Sequence, residues 1–124
     1  MPDAATTAPI ALVAVKHVPV GGAFLRVADG RLSREGVAHG LDPVNDVAIE
    51  WALRGREAGV IAKVVVVTMG PPEAVDSLRR SLAIGADEPV LVSDERLAGA
   101  NVRTTARVLA AVAGRVGASI VLTG

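Results

Sequence analysis

The stretch VVVVTMGPPEAVDSLRRSLAIGADEPVLV, residues 64–92, decides the fold class. It opens on four consecutive valines, turns at Gly70-Pro71-Pro72, runs on to Ile84-Gly85, and closes on Val90-Leu91-Val92. A strand that meets water on one face alternates apolar with polar residues, whereas a continuous β-branched run is what a strand buried on both faces carries. Pro71 and Pro72 stand where the first N–H groups of a helix lack partners. Glu73 suits the positive end of its dipole, and Gly85 suits its stop. The unit therefore reads as strand 64–68, helix 71–84 and strand 90–92, a helical crossover between two parallel strands.

Working outward, the runs 10–15 and 119–123 have the same continuous apolar character and predict two more buried strands. Between them lie two further segments with helical period. In 44–58, Val44, Val47, Ala48, Trp51 and Ala52 recur at i, i+3, i+4, i+7 and i+8 and predict the core face, with Asn45, Glu50, Arg54 and Glu57 outside. In 101–116, Val102, Ala106, Leu109, Ala113 and Val116 predict the inner face, Asn101 an N-cap and Gly117 a stop. Alternation of strand and helix gives an α/β fold with a doubly wound parallel sheet and right-handed crossovers. Residues 24–34, FLRVADGRLSR, place Asp29-Gly30 between two alternating stretches and predict a small β-hairpin excursion from that sheet.

Composition removes several function classes. Thirteen basic residues balance thirteen acidic ones, so no basic stripe draws the chain to nucleic acid. Cysteine is absent, which excludes disulfides and thiolate-held zinc or iron–sulfur centres within these residues. One Trp, one Phe and no Tyr leave an aliphatic core and no aromatic platform for stacking bases. The first nine residues read as a flexible tail without the basic region of a leader, and no apolar run reaches the roughly 20 residues of a membrane span. A soluble, cytoplasmic protein of one domain is expected.

Few residues point to chemistry of their own. His17 and His39 fall near the carboxyl end of the first strand, the side on which open α/β sheets bind ligands. Two histidines without a third ligand do not make a zinc site, and a loop or surface position accounts for them. No G-x-S-x-G elbow, G-x-G-x-x-G fingerprint or P-loop occurs. Asp42-Pro43 fits the start of a helix, with Asp42 as cap and Pro43 presetting the first turn. Met69-Gly70-Pro71 is equally a tight turn or a place where backbone approaches a ligand. Lys16 can meet a phosphate, a helix dipole or an acidic neighbour. Arg79 and Arg80 read as a solvated helix face.

Taken together, ALVAVKHVP (11–19), LDPVNDVAIEWALRGRE (41–57), the run from 64 to 95, LAGANVRTTARVLA (97–110) and IVLTG (120–124) resemble, in order and spacing, the β subunit of electron transfer flavoproteins. The stretches MGP, LRRSLAIGAD and LVSDE carry most of the likeness. The resemblance implies that 10–124 is the N-terminal part of that subunit's domain, with the chain stopping partway through the fold. It implies an electron carrier rather than an enzyme, paired in a heterodimer with an α subunit that holds most of a redox-active FAD. The β subunit carries AMP. Electrons would come from acyl-CoA or other flavin-dependent dehydrogenases and go to a quinone reductase or another acceptor, with no nucleic acid and no membrane insertion. Carried over by position, the nucleotide contacts fall on Ala14, on Asp42, Pro43, Val44 and Asn45, on Met69 and on Gly124. Two departures stand out: Asp42 where the family has Asn, and Val20 where it commonly has Asp. A carboxylate at 42 would lie near an anionic nucleotide, and like charges oppose each other. The alternatives are a second FAD in place of AMP, as in electron-bifurcating members, and a stand-alone adenine-nucleotide module of the universal-stress type.

Overall fold

Val64, Val65, Val66 and Val67 have no exposed surface at all. Successive side chains of a strand point to opposite faces, so this run needs cover on both sides. A computed structural model, which describes residues 8–20, 26–33 and 36–124, shows how it is covered. In chain order the strands and helices are β1 (Ile10–Ala14), β2 (His17–Pro19), β3 (Arg26–Ala28), β4 (Arg31–Ser33), β5 (His39–Leu41), α1 (Val44–Glu57), β6 (Lys63–Met69), α2 (Val75–Ile84), β7 (Glu88–Val92), α3 (Val102–Val116) and β8 (Ala118–Thr123). Short 3-10 turns at Pro72–Ala74 and Glu95–Leu97 precede α2 and α3.

Four parallel strands form the main sheet in the order β7-β6-β1-β8. Val64 and Val66 face a core with Ala11, Val13, Ile49, Ala52, Leu53 and Leu78, covered by α1 and α2. Val65 and Val67 face the other side with Leu12, where Leu109, Val112, Ala113 and Val116 of α3 close the layer. This is the doubly wound α/β arrangement expected. The winding runs outward through β6 and β7 and then returns to β8 on the other side of β1, so its direction reverses between β1 and β8. Strand β8 lies at one edge among the described residues; Ile120 and Leu122 pack on the first core, while Val121 is half exposed.

The expected hairpin is present as the antiparallel pair β3–β4, with Ala28 opposite Arg31. Asp29 (φ 52°) and Gly30 (φ 71°) both take the left-handed conformation that a two-residue turn of this hand requires. Residues 24, 25 and 34 of the hairpin reading, and residues 1–7 of the tail, lie outside the described residues. Asn101 caps α3 by accepting the Thr104 amide N–H at 2.9 Å, and Gly117 ends it at φ 74°. The third strand begins at Glu88, two residues earlier than expected, because β7 is an edge strand where Pro89 is tolerated.

Two inner faces differ from expectation. On α1 the buried stripe is Asn45, Ile49, Ala52 and Leu53, whereas Val44, Val47 and Trp51 are exposed. Two apolar stripes wind along this helix, and the one that faces the sheet carries a polar residue in its first turn, which helical period alone counts against it. On α3, Val102 and Ala106 are exposed and Val112 takes an inner place. Alanine and valine populate nearly every side of α3, so its period does not select one face. Ile49→Ala should therefore cost about 2–5 kcal/mol, and Val47→Ala, on an exposed side chain, no more than about 0.5 kcal/mol. Urea unfolding of the two variants separates the stripes; equal losses would reject the assignment.

Asp87 ties the far end of this layer together. Its carboxylate accepts the Val64 amide N–H at 2.8 Å and pairs with Arg56 at 2.7 Å, and Arg56 also donates to the Gly85 carbonyl. Partial burial pushes its pKa up, but the Arg56 and Val64 hydrogen bonds and the charges of Arg56 and Lys63 outweigh this and leave it below the ordinary value of 3.8. A depressed folded pKa gives stability that is fully present above the unfolded value and lost as pH falls through the folded one. Asp87→Asn should flatten the fall in melting temperature on acidification below about pH 4; a profile as steep as that of the parent chain would rule the linkage out.

Candidate functional site

Where β1 ends, its chain leaves the sheet and its backbone groups need new partners. Asn45, 1% exposed in the first turn of α1, accepts the Lys16 amide N–H through Oδ1 at 2.8 Å. The Lys16 carbonyl accepts from the Asp42 amide at 3.0 Å. Thr68 Oγ1, at the end of β6, donates to the Val15 carbonyl at 2.8 Å. Three elements are thereby pinned at the carboxyl end of the sheet, beside the reversal point between β1 and β8 where ligand crevices of such sheets form.

Gly124 follows β8 and lies against Asn45. A Cβ on it would fall 2.7 Å from Asn45 Nδ2 and 3.2 Å from the Val44 carbonyl oxygen, so no side chain fits there. Asn45 Nδ2 is itself buried and has no hydrogen-bond partner. A buried donor left unpaired costs about 1–3 kcal/mol, so this amide calls for an acceptor. Ala14 lies opposite Thr123 in the sheet register, one residue before Gly124. Met69 ends β6 on the other side of β1. The structure thus brings Val44, Asn45 and Gly124 into contact, with Ala14 beside them. Met69 shares their end of the sheet, across β1 from Gly124.

Asp42 and Pro43 serve the helix start. Asp42 Oδ1 accepts the Val44 amide N–H at 3.1 Å, its carbonyl accepts from Asn45, and the Pro43 carbonyl accepts from Asp46. The amides of Val44, Asn45 and Asp46 are all engaged, and a carboxylate stands where a helix N-terminus would otherwise attract an anion. The Gly70 amide is likewise engaged, donating to the Val92 carbonyl, and a Cβ there would meet Ala74 at 3.2 Å, which explains the glycine as a close turn. For an adenylate the fit is mixed. Asn45 Nδ2 offers a donor to an acceptor of base or ribose, while Asp42 opposes a phosphate at the helix start.

The histidines are not loop residues. His17 lies on β2 and His39 on β5, which pair antiparallel beyond the sheet's carboxyl end. Their rings stack with centroids 5.4 Å apart. His17 Nδ1 is 2.7 Å from Ser77 Oγ on α2, and His39 Nδ1 donates to the Val37 carbonyl at 2.7 Å. The pair anchors the β2–β5 ribbon to α2. Three-residue strands without a hydrophobic period leave no sequence signal that would reveal it. Among the described residues no cluster of three His, Asp or Glu side chains is placed to hold a metal, and no helix is long and apolar enough to cross a membrane.

The family model described as electron transfer flavoprotein domain matches residues 29–124. The chain is 41% identical over 101 residues to the caffeyl-CoA reductase-Etf complex subunit CarD of Acetobacterium woodii, covering 81% of this chain and 38% of that protein. It is 34% identical over 120 residues to an electron transfer flavoprotein subunit beta of Mycobacterium tuberculosis, covering 91% and 45%. Against the protein FixA of Azorhizobium caulinodans it is 38% identical over 110 residues, covering 86% and 38%. The chain spans less than half the length of these relatives.

Two substitutions separate helix start from crevice. Asp42→Asn should leave stability within about 0.5 kcal/mol of the parent, because an Asn oxygen accepts the Val44 amide as well as Asp does. Asn45→Ala should cost about 1–3 kcal/mol, since the part-buried Lys16 N–H loses its acceptor. Chemical denaturation checks both, and an Asn45→Ala variant as stable as its parent would show that the Lys16 tie contributes nothing.

Proposed function

The chain belongs to the electron transfer flavoprotein family, and we propose that its residues 10–124 form part of a β subunit that works as an electron carrier beside a flavin-holding α subunit. The observation that carries this reading is the meeting of Asn45 and Gly124 at the reversal between β1 and β8, inside the segment that matches the family. In the proposed assembly AMP lies in this crevice as a structural ligand, bounded by Ala14, the 42–45 segment, Met69 and Gly124. FAD held mainly by the α subunit supplies the redox chemistry, and the protein supplies binding and orientation. Asn45 Nδ2 donates to the nucleotide, Gly124 lets it approach the backbone, and Asp42 weakens its hold by charge. Electrons enter from acyl-CoA or other flavin-dependent dehydrogenases and leave to a quinone reductase or similar acceptor. The location of such a carrier is the cytoplasm.

This reading makes two measurable claims. The purified chain should show no flavin absorption near ~450 nm, a band generic to oxidised flavins. AMP titrated by calorimetry should bind more tightly to Asp42→Asn than to the parent. A stoichiometric flavin band on the chain alone would replace AMP with a second FAD, and equal AMP affinity in the two proteins would dismiss the charge opposition at Asp42.

A further inference from the structure

One peptide unit at the end of β1 is held by side chains at both of its poles. The Val15 carbonyl and the Lys16 amide N–H belong to the same planar unit, and in a trans peptide they point in opposite directions. The carbonyl accepts from Thr68 Oγ1 of β6 at 2.8 Å, and the N–H donates to Asn45 Oδ1 of α1 at 2.8 Å. Both side chains are 1% exposed. The units on either side are fixed by other bonds: the Val15 N–H donates to the Val67 carbonyl, and the Lys16 carbonyl accepts from Asp42. Those bonds leave open the sense of the unit between them, which can turn over through opposed changes in ψ of Val15 and φ of Lys16, the soft dihedrals beside it.

That sense decides what Asn45 presents. An N–H facing the side-chain amide can be met only by its oxygen, which leaves the NH₂ group for whatever lies on the other side. Nδ2 is buried beside Gly124 without a partner, and a buried donor in that state calls for an acceptor. Were the unit reversed, the Val15 carbonyl would engage Nδ2. Oδ1 would then stand beside Gly124 and call for a donor instead. The Thr68 hydroxyl favours the observed sense, because it supplies a donor on the side away from Asn45 and only a carbonyl can use it.

We propose that Thr68 is a positioning residue that sets the hydrogen-bond polarity of the site: its hydroxyl fixes the 15–16 peptide, the peptide orients the Asn45 amide, and residue 45 thereby reads an acceptor on the ligand. A ring nitrogen of the base or a ribose oxygen satisfies it, and an amino group does not. The ligand half of this inference rests on the nucleotide reading above; the orientation of Asn45 does not. Nitrogen-15 NMR of the full chain tests the orientation without any ligand. In the parent, the Asn45 side-chain NH₂ protons should show contacts with the Gly124 α-protons, and the Lys16 amide proton should exchange slowly. Thr68→Val should remove those contacts and speed Lys16 exchange at least about tenfold, whereas Thr68→Ser, which keeps the hydroxyl, should restore both. Leu78→Ala lowers stability from the core of α2 and should leave the Asn45 contacts in place, which separates positioning from general loosening. Circular dichroism verifies folding, and Thr68→Ala replaces Thr68→Val if the latter does not fold. AMP titrated by calorimetry then tests the ligand half: binding should weaken at least about tenfold in Thr68→Val and recover in Thr68→Ser. Contacts that survive loss of the hydroxyl in a folded protein overturn the proposal. So does their loss with AMP affinity unchanged, because residue 45 would then not be the ligand's donor. A parent that binds no AMP dismisses the nucleotide reading and with it the ligand half, while the NMR result still decides whether Thr68 orients Asn45.

Discussion

Burial of β6 on both faces is the constraint from which the remaining architecture follows. Four valines without exposed surface point alternately to two sides, and each side must be covered by helices because a parallel sheet has no short connections. Helices α1 and α2 supply one cover and α3 the other. Crossovers of one hand then oblige the chain to reverse direction to cover both faces, and the reversal falls between β1 and β8. The reversal point is thus a by-product of how a doubly buried valine strand is enclosed.

Strand and helix positions were legible because each is written in local chemistry: continuous valine runs, Gly-Pro-Pro at a helix start, Asn101 and Gly117 at the ends of α3, and Asp29-Gly30 in the hairpin. The face a helix turns inward is a tertiary matter. On α1 the apolar residues Val44, Val47 and Trp51 compete with those of the true inner stripe, which accepts Asn45 because that amide closes off the end of β1. A polar residue that serves as a backbone partner is invisible to any count of hydrophobic period. The β2–β5 ribbon was hidden for a related reason: a three-residue pair held by ring stacking and a His17–Ser77 contact leaves no pattern in either segment.

At the crevice, resemblance to a family supplied positions and the structure supplies their present occupations. Asp42 was legible as a helix-start residue from its place before Pro43, and its carboxylate does hold the Val44 amide. The contact between Gly124 and Asn45 was not legible, since it joins residues far apart in the chain through the return of β8 to the side of β1. The unpartnered Nδ2 of Asn45 is likewise visible only after both oxygens and nitrogens around it have been placed.

Stability and ligand chemistry are therefore coupled unequally among neighbouring residues. Asn45 does two things with one side chain: its oxygen closes the backbone of β1, and its nitrogen lies buried beside Gly124 without a partner. No other residue type offers an acceptor and a donor in that geometry apart from the longer Gln, which would overfill a position with 1% exposure. Asp42 is different, because the helix start uses only a hydrogen-bond acceptor and not the negative charge. Exchanging Asp for Asn there removes the charge while leaving the helix start intact. Residue 42 is therefore free to lose its charge without disturbing the fold, whereas residue 45 is held by its tie to Lys16 and by its burial.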